Sequence, residues 1–169
     1  MLLPGGPVCR TRIPRVTYGE FTKDAPAAHA ALFAFSKAVD DSGPEKTLTE
    51  LIKLRASQLN GCAFCLQHHL STARTLGIPA EKLDLVAAWR DAGMFTQREM
   101  AALAWTEALT KMTPDSASDA IYATLLQHFT KTEALFLTVA IASINQWNRI
   151  GVGLRFAPSV PDHALASAA

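Results

Sequence analysis

Helix-opening signals recur along this chain, and runs of alternating polarity do not. Thr96-Gln97-Arg98-Glu99 and Thr130-Lys131-Thr132-Glu133 both have the form of a capping box. In that motif an N-cap threonine and a glutamate three residues on satisfy each other's first-turn amides. Pro26, Pro44 and Pro79 stand where helices are expected to open. Between the punctuation, Leu48, Leu51, Ile52, Leu54 and Leu59 recur mainly at three- and four-residue steps, as on one helix face. Asn60-Gly61 lies between two helical patterns rather than two β-branched runs, so it reads as a helix-to-helix turn. The pattern predicts an all-α chain of about six to seven helices, over 27–39, 44–59, 62–77, 79–93, 100–112, 117–128 and 130–149. The last is apolar nearly all the way round, which suits a core or a subunit interface.

Residues 1–24 are rich in Pro, Gly and Arg and read as an N-terminal arm; 25–155 form one helical domain, and 156–169 a tail. A chain of 169 residues, 49% hydrophobic and 18% charged, can bury a core and is not a disordered protein. Sixteen basic against fifteen acidic residues leave a net charge of +1 and no global electrostatic case for nucleic acid. The longest strongly apolar stretch, 134–144, is about half the ~20 residues a membrane span requires, and it contains Thr138 and Ser143. Three cysteines do not make a secreted disulfide framework, and Pro4-Gly5-Gly6 interrupts any secretory apolar region. A soluble, cytoplasmic protein is expected, with no membrane or nucleic-acid partner.

The chemistry concentrates at Gly61-Cys62-Ala63-Phe64-Cys65-Leu66-Gln67-His68-His69. In a helix starting at Cys62, residues 62, 65 and 69 share one stripe. The positive end of the helix dipole there favours thiolate over thiol, and the thiolate is the nucleophile. His69, one turn beyond Cys65, is placed to take its proton or bond its sulfur. His68 points about 100° away and reads as a surface residue. Glu50 precedes Cys62 by twelve residues and meets the CxxC helix if the two helices fold back on each other across Asn60-Gly61. Other readings of the cysteines are a structural disulfide, or a zinc site completed by Cys9 or a distant histidine. A thioredoxin-like domain is disfavoured because no βαβ pattern accompanies the motif.

The spacing Glu50, Cys62, Ala63-Phe64, Cys65, His69 resembles the core motif of the alkylhydroperoxidase D family, within the carboxymuconolactone decarboxylase superfamily. The segments 50–65, 102–110 and 144–149 are similar to it as well, and the resemblance spans about residues 13–155. It implies an all-helical fold with core helices packing across subunits, as a homo-oligomeric trimer or hexamer. It also implies a peroxidase without metal or cofactor. In that chemistry Cys65 attacks a peroxide and becomes a sulfenic acid, and Cys62 resolves it as a disulfide. Glu50 and His69 relay the proton, and an external dithiol re-reduces the pair. Phe64 departs from the best-known peroxidase members, which carry a histidine directly before the second cysteine; weaker turnover is expected. A non-enzymatic redox sensor using the same dithiol is the alternative. Trp105 and Trp147 are expected to be packing anchors.

Overall fold

The computed structural model describes residues 13–159. Cys9, the first half of the expected arm (1–12) and most of the expected tail (160–169) lie outside the described residues. Among the described residues are eight α-helices and no strand. They are α1 (Tyr18–Asp24), α2 (Pro26–Asp40), α3 (Lys46–Asn60), α4 (Ala63–Thr75), α5 (Ala80–Leu85), α6 (Gln97–Lys111), α7 (Asp119–Leu126) and α8 (Lys131–Leu154). A 3-10 turn, Val86–Ala88, follows α5. The all-α expectation holds.

Both expected capping boxes form. Thr96 and Thr130 accept the amides of Glu99 and Glu133 at 3.2 Å, and each glutamate accepts its threonine's backbone N–H. A third box, Thr17 with Glu20, opens α1. The end of the segment read as an arm is therefore helical. A second correction concerns 79–93, where one expected helix is replaced by α5, the 3-10 turn and an irregular stretch. The break turns Trp89 and Arg90 toward Glu107 of α6, which accepts hydrogen bonds from both. α8 runs to Leu154 rather than about 149.

α3 is the central element, packed on α4, α6 and α8. Leu48 and Ile52 join one core cluster with Trp105, Leu137 and Ile141. Leu51 and Leu54 join a second with Leu83, Val86, Trp89 and Leu103. Each sealed Leu or Ile contributes about 1.5–3 kcal/mol of burial, so α3 is held from both sides and makes a rigid mount for Glu50.

The α3–α4 reversal follows from local chemistry. Gly61 adopts φ +65°, the left-handed conformation that ends a helix without a Cβ penalty. The Cys62 N–H closes the turn on the Ser57 carbonyl at 3.0 Å. The Asn60 side-chain amide donates to both Asn145 and Asn148 of α8 at 2.9 Å, and Asn148 donates to Ser57 at 3.0 Å. Two buried amides, the half-buried Asn60 and a hydroxyl thus fix the approach to the CxxC against α8.

Candidate active site

Cys62 is the N-cap of α4 rather than its first helical residue. Its backbone is extended, and its sulfur takes the place of the usual cap oxygen by accepting the Cys65 N–H at 3.3 Å. The expected single stripe of 62, 65 and 69 is corrected accordingly: Cys65 and His69 lie on the helix, while Cys62 approaches from its mouth. The two sulfurs are joined as a disulfide with Cα atoms 5.4 Å apart. Both cysteines are buried, beside Ala56 and Ile144.

Glu50 meets His69 as the hairpin geometry requires. Its Oε2 lies 2.7 Å from His69 Nδ1, and its Oε1 accepts from Lys53 Nζ at 2.9 Å. Lys53 also reaches Asp40 Oδ1 at 3.4 Å. Burial pushes the Glu50 carboxyl up, but the hydrogen bond and charge of His69, with those of Lys53, outweigh it and hold the group below its usual range. An ionised carboxylate only accepts, so Nδ1 carries a proton in this bond. His68 is exposed and stands edge-on to His69, ring centroids 5.0 Å apart.

Cys65, His69, Glu50 and Lys53 share one cavity of about 550 Å³, closed by α2 and α8 and by Tyr18 of α1. Cys62 is not among its lining residues. Phe64, half-buried, leans on Tyr18 and Phe156 at centroid distances of 5.3 Å each. Where the sequence comparison suggested a lost polar group, this chain has an aromatic wall.

Two wall residues, and a third packed behind them, were missed by the sequence reading. Trp147, expected as an anchor, lines the cavity and is held by donating to Ser36 Oγ at 3.0 Å. Trp105 does sit in the core. Tyr18 lines the cavity from α1, its hydroxyl 2.8 Å from His29 Nε2. The Thr17-x-x-Glu20 box was a usable signal for that helix. Phe156, assigned to the tail, is buried; its N–H returns to the Gly151 carbonyl at 3.0 Å and swings the ring back onto Phe64, between the two cysteines. Nothing local marked it.

Among the described residues no group of three or more His, Cys, Asp or Glu side chains is arranged to hold a metal ion. No helix there is long and apolar enough to cross a membrane.

The protonation state of Glu50 carries a testable consequence. Glu50→Gln keeps an acceptor for His69 Nδ1–H but removes the carboxylate charge behind it. Alkylation of the reduced cysteine near neutral pH is expected to slow by about tenfold, as for a shift of one pKa unit; an unchanged rate would count against the relay. Because the folded-state pKa is lowered, the stabilisation from ionised Glu50 is present above its unfolded value and lost as pH falls through the folded one. The stability gap between wild type and the variant should therefore close below about pH 4, an ordinary carboxylate's range.

Comparison with known proteins agrees with this architecture. The carboxymuconolactone decarboxylase family model matches residues 26–108, a span that includes Glu50, both cysteines and His69. YdfG of Bacillus subtilis (strain 168) is 33% identical over 140 residues, 83% of this chain and 93% of that protein. A crystal structure from Agrobacterium tumefaciens, of a protein of unknown function named as a candidate antioxidant defence protein AhpD, is 40% identical with a TM-score of 0.83. It is matched over 88% of this chain and 100% of that one. An alkylhydroperoxidase AhpD core structure from Ralstonia eutropha, of a peroxidase-related protein, shares the fold at 23% identity and TM-score 0.75, over 89% and 79% of the two chains. The chain belongs to the carboxymuconolactone decarboxylase family, on its AhpD-like side.

Proposed function

We propose that the protein is a thiol-dependent peroxidase that reduces hydrogen peroxide or an organic hydroperoxide through a Cys62–Cys65 dithiol/disulfide cycle. The observation that carries the reading is the asymmetry of the pair: Cys65 opens on the cavity beside Glu50–His69, and Cys62 is sealed behind it. In the reduced protein His69 Nε2 takes the Cys65 proton. The thiolate attacks one peroxide oxygen, the O–O bond breaks, and the leaving alkoxide or hydroxide takes the proton back. Cys62 then displaces hydroxide from the Cys65 sulfenic acid, and water leaves as the disulfide forms.

An external dithiol returns the pair to the reduced state. The reading includes a cytoplasmic setting, where such reductants are supplied, and a homo-oligomer, a trimer or hexamer. An apolar groove between α2 and α8, lined by Ala31, Leu32, Phe35 and Ile150, supports the latter. Steady-state peroxide loss with a dithiol donor tests the proposal. Many turnovers per chain are expected. Oxidation of one equivalent followed by arrest would favour the redox-sensor alternative.

A further inference from the structure

Gly151 of α8 presents bare backbone to both sulfurs. A Cβ at this position would stand 3.0 Å from Cys62 Sγ, 3.5 Å from Cys65 Sγ and 3.8 Å from Phe156 Cδ2. Nonbonded atoms of carbon size settle at roughly 3.5–4.0 Å, so the Cys62 contact alone is too close. Gly153, on the same helix, would meet nothing within 4 Å. Glycine inside a helix weakens it relative to alanine, and at 151 the exchange has a specific return in room for one sulfur.

That sulfur has nowhere else to go. Cys62 is 2% exposed, its N–H is held by Ser57 and its Sγ by the Cys65 amide. Behind it the Gly151 carbonyl also anchors the turn that brings Phe156 against Phe64.

We propose that Gly151 is a positioning residue for the resolving cysteine: its missing side chain is the slot in which Cys62 Sγ sits to close on Cys65. The inference rests on the thiol-redox reading of the pair. In the step concerned, the Cys62 thiol gives up its proton as its sulfur attacks the Cys65 sulfenic sulfur, the S–S bond forms and the S–O bond breaks. The hydroxide leaves as water with the proton from Cys62, and the two-electron oxidation first held at Cys65 is shared by both sulfurs. The attack of Cys65 on peroxide is untouched, because its contact with a Cβ at 151 is of ordinary length.

The experiment compares wild type, Gly151→Ala and Gly153→Ala. Each is equilibrated with a dithiothreitol redox buffer, with no peroxide present. In a second measurement the lifetime of the Cys65 sulfenic acid is followed by dimedone trapping after one equivalent of hydrogen peroxide. In Gly151→Ala the equilibrium should move about tenfold toward the dithiol and the sulfenic acid should persist longer, with Gly153→Ala following wild type. A Gly151→Ala equilibrium within about twofold of wild type, or an equal shift in Gly153→Ala, overturns the proposal. If Gly151→Ala does not fold, the double variant Cys62→Ala/Gly151→Ala decides: folding like Cys62→Ala supports a clash with the sulfur, and failure to fold refutes it. Absence of catalytic turnover in wild type would sink the peroxidase reading and leave the redox-buffer result standing.

Discussion

Cys65→Ser is expected to reduce peroxide turnover to the uncatalysed background, a loss on the order of 10³-fold or more, as for removal of a nucleophile. A serine hydroxyl stays protonated at neutral pH, and neither the helix dipole at the start of α4 nor His69 lowers its pKa enough to matter. Cys62→Ser should behave differently. Its Cys65 still opens on the cavity beside Glu50–His69, so one equivalent of peroxide per chain is consumed and the sulfenic acid accumulates. Excess peroxide should then drive it to sulfinic acid, because no resolving thiol competes. Peroxide consumption and intact mass measure both outcomes. The opposite pattern, with turnover surviving in Cys65→Ser and the single-equivalent burst in that variant, would exchange the two roles.

Glu107→Ala is expected to cost the fold about 3–5 kcal/mol, the range for breaking a buried ion pair from one side. Glu107 is buried on α6 and holds three partners from other segments. Arg55 of α3 approaches to 2.6 Å, Arg90 to 2.7 Å, and the Trp89 indole N–H donates at 3.0 Å. Burial pushes its carboxyl up, but the hydrogen bonds from Trp89, Arg90 and Arg55 prevail and keep it ionised. Removing it strands the Arg55 guanidinium, whose side chain is 14% exposed, and orphans an indole N–H. For a chain of this length the loss corresponds to a fall in Tm of roughly 6–20 °C. Arg90→Ala should shift stability by no more than about 1 kcal/mol, since that side chain is 60% exposed. Thermal unfolding of both variants is the check, and a Glu107→Ala shift under about 3 °C, near 1 kcal/mol, would refute the account.

What could be read from sequence was local. Capping boxes at Thr96 and Thr130, the helix-to-helix turn at Asn60-Gly61 and the three-to-four-residue spacing of leucines are decided within one turn of chain. Each reappears in place. The Glu50–His69 contact was legible for a similar reason. A short reversal at Asn60-Gly61 leaves two antiparallel helices few ways to meet. The position of Cys62 was misread because an N-cap and a first helical residue differ only in backbone angles, which cysteine does not declare. The walls of the cavity were unreadable for a different cause. Tyr18 and Trp147 line the cavity from helices at opposite ends of the chain, and only tertiary closure brings them there and packs Phe156 on Tyr18.

The bonds that join the two ends of the chain have a further meaning. The Arg15 guanidinium donates to the Gly153 carbonyl at 2.9 Å across a sequence separation of 138, and the Arg15 and Val16 amides reach Leu154. The two large core clusters draw all their buried members from Val39 to Ile141. The packing of Tyr18 and Phe156 on Phe64, between the two cysteines, therefore depends on the longest-range closure in the described chain, outside the span that holds the two large clusters. Contacts of that kind form late and open early. On mild heating this aromatic wall should loosen while the helical body still stands, so the protein's chemistry and its fold have separate lifetimes.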